Sequence, residues 1–304
     1  MFLSIMKRKF FLTILFAVSA TVFSSCEKKV SNTKFTLFYP DNEAFYFVPV
    51  TKEIKELDSL SEIKTAEKLL EELKTSPNTD LRGCVPKEVV FSDINYDKEK
   101  KSFSLKFTSS KSLGDADEQL MLGCITNTLT NLKDSESITL STNLKTDMDY
   151  SEPITKESYQ NSFLDVDKPS DEHPSTETVY WYDKAKKYLI PVQVGIPKKD
   201  VKSLIDKLRK GPENRNIEYF TGSIPEDYTI SIKNVNANHI DILIKSPPES
   251  DKNISQNIQN IVLLTIYDLK IFDTVKFINS DNSENVIDLT KINPKDNLNF
   301  INGS

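Results

Sequence analysis

The chain has 304 residues, with 39 basic and 45 acidic side chains and a formal net charge of −6. That sign disfavours nucleic acid as a partner, because binding phosphate needs a basic face. Seven glycines and two histidines argue against Gly-rich phosphate cradles and multi-histidine metal centres. No cofactor, metal site or catalytic residue set is expected, and the chain reads as a non-enzyme.

The N-terminus reads as an export signal. Met6-Lys7-Arg8-Lys9 precedes an apolar run from Phe10 to Phe23. As a helix that run rises only about 21 Å, short of a hydrocarbon core of about 30 Å. A basic start, a short apolar stretch and the small residues Ser24 and Ser25 make residues 1–25 a signal peptide. The small-small-Cys ending at Cys26 resembles the lipobox of bacterial lipoproteins, although Phe23 stands where an aliphatic residue is usual. The resemblance implies that Cys26 is the lipidated first residue of the mature chain. Residues 26–34 then form a tether, and the protein is held by lipid at the outer face of the cytoplasmic membrane. Removing residues 1–25 takes away three cations and no acid, so the mature charge becomes −9.

The rest of the chain repeats once. Thr36-Leu37-Phe38-Tyr39-Pro40-Asp41 aligns with Thr178-Val179-Tyr180-Trp181-Tyr182-Asp183, and Tyr46–Val50 aligns with Tyr188–Val192 at the same offset. The helical stretches ending in Leu73 and Leu208, the turns Gly83-Cys84-Val85-Pro86 and Gly222-Ser223-Ile224-Pro225, and later elements follow in the same order. Each copy opens with a predicted hairpin, Leu37–Tyr39 with Phe45–Val50 and Val179–Tyr182 with Tyr188–Val192. Asp41 and Asp183 supply the turn chemistry. An amphipathic helix follows, carrying Ile63, Ala66, Leu70 and Leu73, or Val201, Leu204, Ile205 and Leu208 with Asp200 as N-cap. Ser76-Pro77 and Gly211-Pro212 end these helices. Two strands come next, near 88–96 and 102–108, and again near 229–235 and 239–245. A second helix carries Leu122, Ile125, Leu129 and Leu132, or Ile258, Val262, Ile266 and Leu269. A closing strand ends each copy.

The fold class is therefore α+β: two repeated small domains, residues 35–144 and 178–290. Each is a hairpin-helix-strand-strand-helix-strand sheet with its helices on one face. Residues 145–177 carry nine acidic and three basic side chains and three prolines, and read as a solvated linker. Residues 291–304 are a tail without pattern.

Cys84 and Cys124 are a candidate disulfide if the chain is exported, the alternative being two buried thiols. The aromatic run Tyr180-Trp181-Tyr182 is a candidate interface, because alternation puts Trp181 opposite its neighbours. His239 has no histidine neighbour, and Asp115, Asp117 and Glu118 read as a charged helix start rather than a calcium loop.

This set of motifs resembles the GerMN domain of sporulation and spore-germination lipoproteins. The matching pieces are the Tyr/Trp-Tyr-Asp hairpin, Pro49 and Pro191, Gly211-Pro212, and the turn at 222–225, with the second copy nearer the pattern than the first. The resemblance implies a non-catalytic envelope protein that scaffolds or stabilises a sporulation or germination complex between membranes. Its partners would be an envelope protein complex and, through the lipid, the membrane. The alternative is a peptidoglycan-binding or wall-enzyme accessory lipoprotein.

Overall fold

The computed structural model describes residues 32–55, 60–132, 135–142, 152–159, 175–213, 215–248 and 250–299. The expected signal peptide, Cys26 and most of the acidic linker lie outside the described residues. In the first domain, β1 (Asn32–Pro40) and β2 (Phe47–Lys55) form an antiparallel hairpin with Phe38 opposite Pro49. Asp41 closes its turn as expected, its Oδ1 accepting from the N–H of Phe45 at 2.7 Å and of Tyr46 at 3.1 Å. Helix α1 (Glu62–Glu72) starts from the N-cap Ser61. Strands β3 (Val89–Asp97) and β4 (Ser102–Ser109) are antiparallel. Helix α2 (Asp115–Leu129) then crosses over to β5 (Ser137–Thr142), parallel to β4. From inside the acidic segment, β6 (Ile154–Thr155) adds antiparallel to β5, followed by the one-turn helix α3 (Lys156–Tyr159).

The second domain repeats the plan with β7 (Ser175–Asp183), β8 (Leu189–Ile196), α4 (Val201–Lys210), the short β9 (Phe220–Thr221), β10 (Thr229–Asn236), β11 (His239–Lys245), α5 (Lys252–Leu269), β12 (Thr274–Ile278) and β13 (Glu284–Asp288). Asp183 closes its hairpin through the N–H of Lys187 and Tyr188, at 2.6 and 2.8 Å. Asp200 caps α4 by accepting from Ser203 N–H at 2.8 Å. Strand β13 pairs with β12 as β6 does with β5, so the repeat continues into the segment read as linker.

The element order is the one expected, but each hairpin is a sheet of its own. The sheets are β1-β2 and β3-β4-β5-β6 in the first domain, and β8-β7-β9 and β10-β11-β12-β13 in the second. The long helices explain the division. Helix α2 packs against β1 and against β5, so every residue from Leu120 to Leu129 is buried. A helix enclosed on all sides has no polar stripe. The hairpin lies close because Gly123 leaves room for it: a Cβ there would fall 2.3 Å from Cζ of Phe47. Thr128 fixes the contact, its Oγ1 accepting from Phe38 N–H at 3.0 Å.

The glycine-serine turn is structural as well. A Cβ on Gly222 would sit 2.5 Å from the carbonyl oxygen of Arg209, so the turn lies directly on the end of α4. Ser223 donates its N–H to Leu208 O at 2.8 Å and its hydroxyl to Tyr180 O. In the first domain Cys84 takes the place of Ser223 and donates its N–H to Leu73 O at 2.9 Å.

Candidate functional site

The two domains meet through their hairpins, with β2 against β8. The seam is built from equivalent residues of the two copies. Thr36 and Thr178, Phe38 and Tyr180, Pro49 and Pro191, and Asn131 and Asp268 line a cavity of about 20 Å³, room for one water. The outer contacts are reciprocal. The hairpin turn of the first domain places Phe45 against Tyr219 and Tyr46 against Phe220, with ring centroids 4.7 and 5.1 Å apart. The hairpin turn of the second domain reaches the corresponding loop of the first. There Tyr188 Oη accepts from Asn78 at 2.8 Å and Lys187 pairs with Asp80 at 2.9 Å. Patch i meets patch j and j meets i, the pattern of a two-fold interface, here formed inside one chain.

The tail closes this seam. On the first domain, Thr51 donates its N–H to Leu298 O and its hydroxyl to Lys295 O, both at 3.1 Å, and Lys34 donates to Asn297 Oδ1 at 2.6 Å. On the second domain, Lys295 pairs with Asp268 at 2.6 Å, and Tyr180 donates to the other carboxylate oxygen at 2.7 Å. Burial, reinforced by the Asp268 charge, holds the Tyr180 phenol well above its ordinary pKa. Asn299 spans both domains. Its amide nitrogen donates to Pro49 O and Leu189 O, and its oxygen accepts from Leu189 N–H, all at 2.8 Å. The sequence gives no sign of this role, because the segment is held by its backbone, one lysine and side-chain amides.

The aromatic run is not a free interface. Tyr180 is 1% and Trp181 3% exposed, and only Tyr182 is half-buried. Alternation does place Trp181 opposite Tyr180, but helices cover both sides of β7. Trp181 Nε1 donates to Lys207 O of α4 at 3.0 Å, while Tyr180 reaches Asp268 of α5. Tyr180 serves the seam inside the chain rather than an outside partner.

Cys84 and Cys124 are buried thiols. Asp115, Asp117 and Glu118 form the first turn of α2, where acids favour the positive end of the helix dipole. His239 pairs with Asp241 at 2.6 Å along β11. Among the described residues, no group of three or more His, Cys, Asp or Glu could hold a metal ion, and no helix is long and apolar enough to cross a membrane. The chemistry of the seam is cohesive: it fixes two domains, and in each four-stranded sheet the alternating burial of the inner strands leaves one face outward.

Comparison with known proteins agrees with this geometry. Residues 36–145 match the Germane family model, described as sporulation and spore germination. The match falls on the first copy, the one expected to lie further from the family pattern. No curated protein matches the chain. The structure is similar to the tandem GerMN domains of the sporulation protein GerM from Bacillus subtilis. The likeness covers 90% of this chain and 94% of that one, with 18% identity and a TM-score of 0.58. The first GerMN domain of the same protein covers 41% of this chain and 98% of its own, at 18% identity and TM-score 0.34. A chain provisionally described as a lipoprotein from Clostridium perfringens covers 42% and 89%, at 17% identity and TM-score 0.28. The chain thus has the fold of two tandem GerMN domains, and its first copy matches the sporulation and spore germination family model.

Proposed function

We propose that this protein is a non-catalytic, lipid-anchored scaffold of the cell envelope that stabilises a sporulation or germination complex between membranes. The observation that carries the reading is the seam. Reciprocal hairpin contacts and a tail clasp join the two domains into one body whose outer sheet faces keep a set relation. Two linked faces raise the effective concentration of one partner site once the other is engaged. The lipid on Cys26 would fix the body to the outer face of the cytoplasmic membrane, and the residues after it would give reach. One acyl chain anchors weakly, whereas two or more anchor stably.

The test is the count of heat-resistant spores in the source organism, for a strain lacking the gene and for one carrying Cys26→Ala. A large drop in both is expected. A drop in the deletion alone would remove the lipid requirement, and no drop in the deletion would overturn the sporulation role. Binding of the purified protein to isolated wall sacculi would favour a peptidoglycan-binding protein instead.

A further inference from the structure

Each four-stranded sheet has two outer edges, and three of the four are blunted. Strands β3 and β10 each carry a bulge, between Phe91 and Asp93 and between Ile232 and Asn234. A bulge bends an edge out of line with an incoming strand. Strand β6 is two residues long and runs straight into α3, where Tyr159 O accepts from Asn127 of α2 at 3.2 Å. Strand β13 has none of these protections. Its residues, Glu284–Asp288, pair with β12 in unbroken register and include no proline. Among the described residues its strand partner is β12 alone. The hydrogen bonds of this hairpin fix which groups point outward. Leu289 N–H donates to Asp273 O at 2.8 Å, and Asn279 N–H to Ser283 O at 2.9 Å. Alternation then turns Asn285 and Ile287 toward β12, and the N–H and C=O groups of Glu284, Val286 and Asp288 outward. Asp288 O accepts from Lys291 N–H at 3.2 Å, whereas the three N–H groups and the other two carbonyls have no protein partner among the described residues. The side chains of these three residues lie on the outer face, level with Ile278, Lys276 and Thr274 of β12. Val286 is 61% exposed.

We propose that β13 is a strand-addition site for an extended basic segment of a partner protein. The segment runs antiparallel to β13, with an apolar residue opposite Val286 and a lysine or arginine opposite Glu284 and Asp288. Backbone pairing supplies the affinity, and alternate side chains supply the choice. Residues directly opposite in an antiparallel pair lie side by side, so each acid sets one position of the partner. Glu284 pairs with Lys276 at 3.1 Å through one oxygen, and its other oxygen has no protein partner among the described residues. Asp288 pairs with Lys291 at 2.8 Å. Asp273 and Asp281 stand just outside β12 and β13, so the acids here outnumber Lys276 and Lys291 and the local charge is negative, as is that of the whole chain. Lys276 lies directly opposite Val286 on β12, which disfavours a cation on the other side of that valine and favours an apolar residue there. The same acids exclude a second copy of this chain. Two β13 strands paired about Val286 would set Glu284 against Asp288 twice, and like charges directly opposite are destabilising. The site stands on the fold of the second domain alone, whichever membrane or complex the protein serves.

The experiment takes the full chain, extracted in detergent, and the capped peptide Thr-Lys-Thr-Val-Thr-Lys-Thr. Hydrogen exchange is read by mass spectrometry on the fragment that spans β13. In the free protein the N–H groups of Glu284, Val286 and Asp288 should exchange fast. Peptide at about 5 mM should slow them about sixfold for a dissociation constant of about 1 mM. Fragments spanning β3 and β10 should not change. Replacing both peptide lysines with glutamate, or its valine with N-methylvaline, should remove the slowing. Val286→Pro takes away one outward N–H and leaves the ladder to β12 intact, so it should abolish binding while the melting temperature is kept. Glu284→Lys should weaken binding of the basic peptide about tenfold. It should bind well a peptide whose second lysine is glutamate, because antiparallel pairing puts that residue opposite position 284. No slowing with the basic peptide, equal slowing with the acidic one, or slowing at β10 in place of β13 would each overturn the proposal. Protection of β13 without peptide that grows with protein concentration would assign the edge to a second copy, and would overturn it too.

Discussion

Replacing Asn299 with alanine tests whether the tail is a clasp. The side chain makes three hydrogen bonds of 2.8 Å, one to the first domain and two to the second. Each contributes about 0.5–1.5 kcal/mol net, so their loss should cost about 2–4 kcal/mol. Asn299 also has a φ of 49°, in the left-handed region that asparagine tolerates better than alanine, which adds about 1 kcal/mol. Asn299→Gly removes the amide without that backbone cost and so isolates the hydrogen bonds. The readout is urea unfolding followed by two probes. Trp181 is the single tryptophan and reports the second domain, whereas far-ultraviolet circular dichroism reports both. The two curves should coincide in the parent, because the seam couples the domains. They should move to lower urea and separate in both variants. If both variants keep superimposed curves within about 0.5 kcal/mol of the parent, Asn299 is not a clasp and the reasoning fails.

Gly123→Ala should destabilise by about 1–2 kcal/mol, because overpacking against the buried Phe47 ring outweighs a gain of about 1 kcal/mol in helix propensity. In a Phe47→Leu background the same substitution should become neutral or stabilising in chemical denaturation, and an unchanged sign would refute the close-approach argument. Burial holds the phenols of Tyr39, Tyr46 and Tyr180 above their ordinary value, with nearby anions reinforcing it. A raised phenol keeps the folded state neutral after the unfolded chain begins to ionise. Its stabilising effect is therefore complete below about pH 10 and lost as pH rises through the higher folded values. Melting temperature should be insensitive to these groups below that point and fall above it, less steeply in Tyr180→Phe; a flat alkaline profile would contradict their burial.

Local chemistry made much of the fold legible. Asp41 and Asp183 read as turn residues because a carboxylate can accept neighbouring N–H groups, and both do. The stripe from Val201 to Leu208 and the cap at Asp200 required only helical spacing and one acceptor. Long-range packing hid the rest. Helix α2 has little polar stripe because it is enclosed on nearly every side, so periodicity could not reveal the layers about it. Alternation in Tyr180-Trp181-Tyr182 put Trp181 opposite its neighbours, but it carried no sign that β7 has a helix on each side and that Tyr180 would face the seam between the domains. Strand β6 is two residues long and sits among acids and prolines, where composition argues for linker. The seam was the least legible, since Lys295 and Asn299 acquire meaning only when a tail folds back on residues far away in sequence.

The same seam shows how a repeated chain can prefer one arrangement. Two identical domain faces would bind a second chain as readily as they bind each other. Here the reciprocal contacts have diverged: Phe45 and Tyr46 form an aromatic contact at one end, while their counterparts Lys187 and Tyr188 form a polar one at the other. A pairing of like with like would put Phe45 against Asp80 or Lys187 against Tyr219, forfeiting both the aromatic contact and the ion pair. The centre is asymmetric too. Asp268 supplies the carboxylate that receives Lys295, but its equivalent in the first copy is Asn131, which carries no charge. A lysine buried beside Asn131 would lack a counter-ion, so the tail is favoured on one side of the seam. Divergence at these few positions turns a near-symmetric pair of domains into a body with one clasp and one handedness, so the outer faces of the two domains keep one fixed relation to each other.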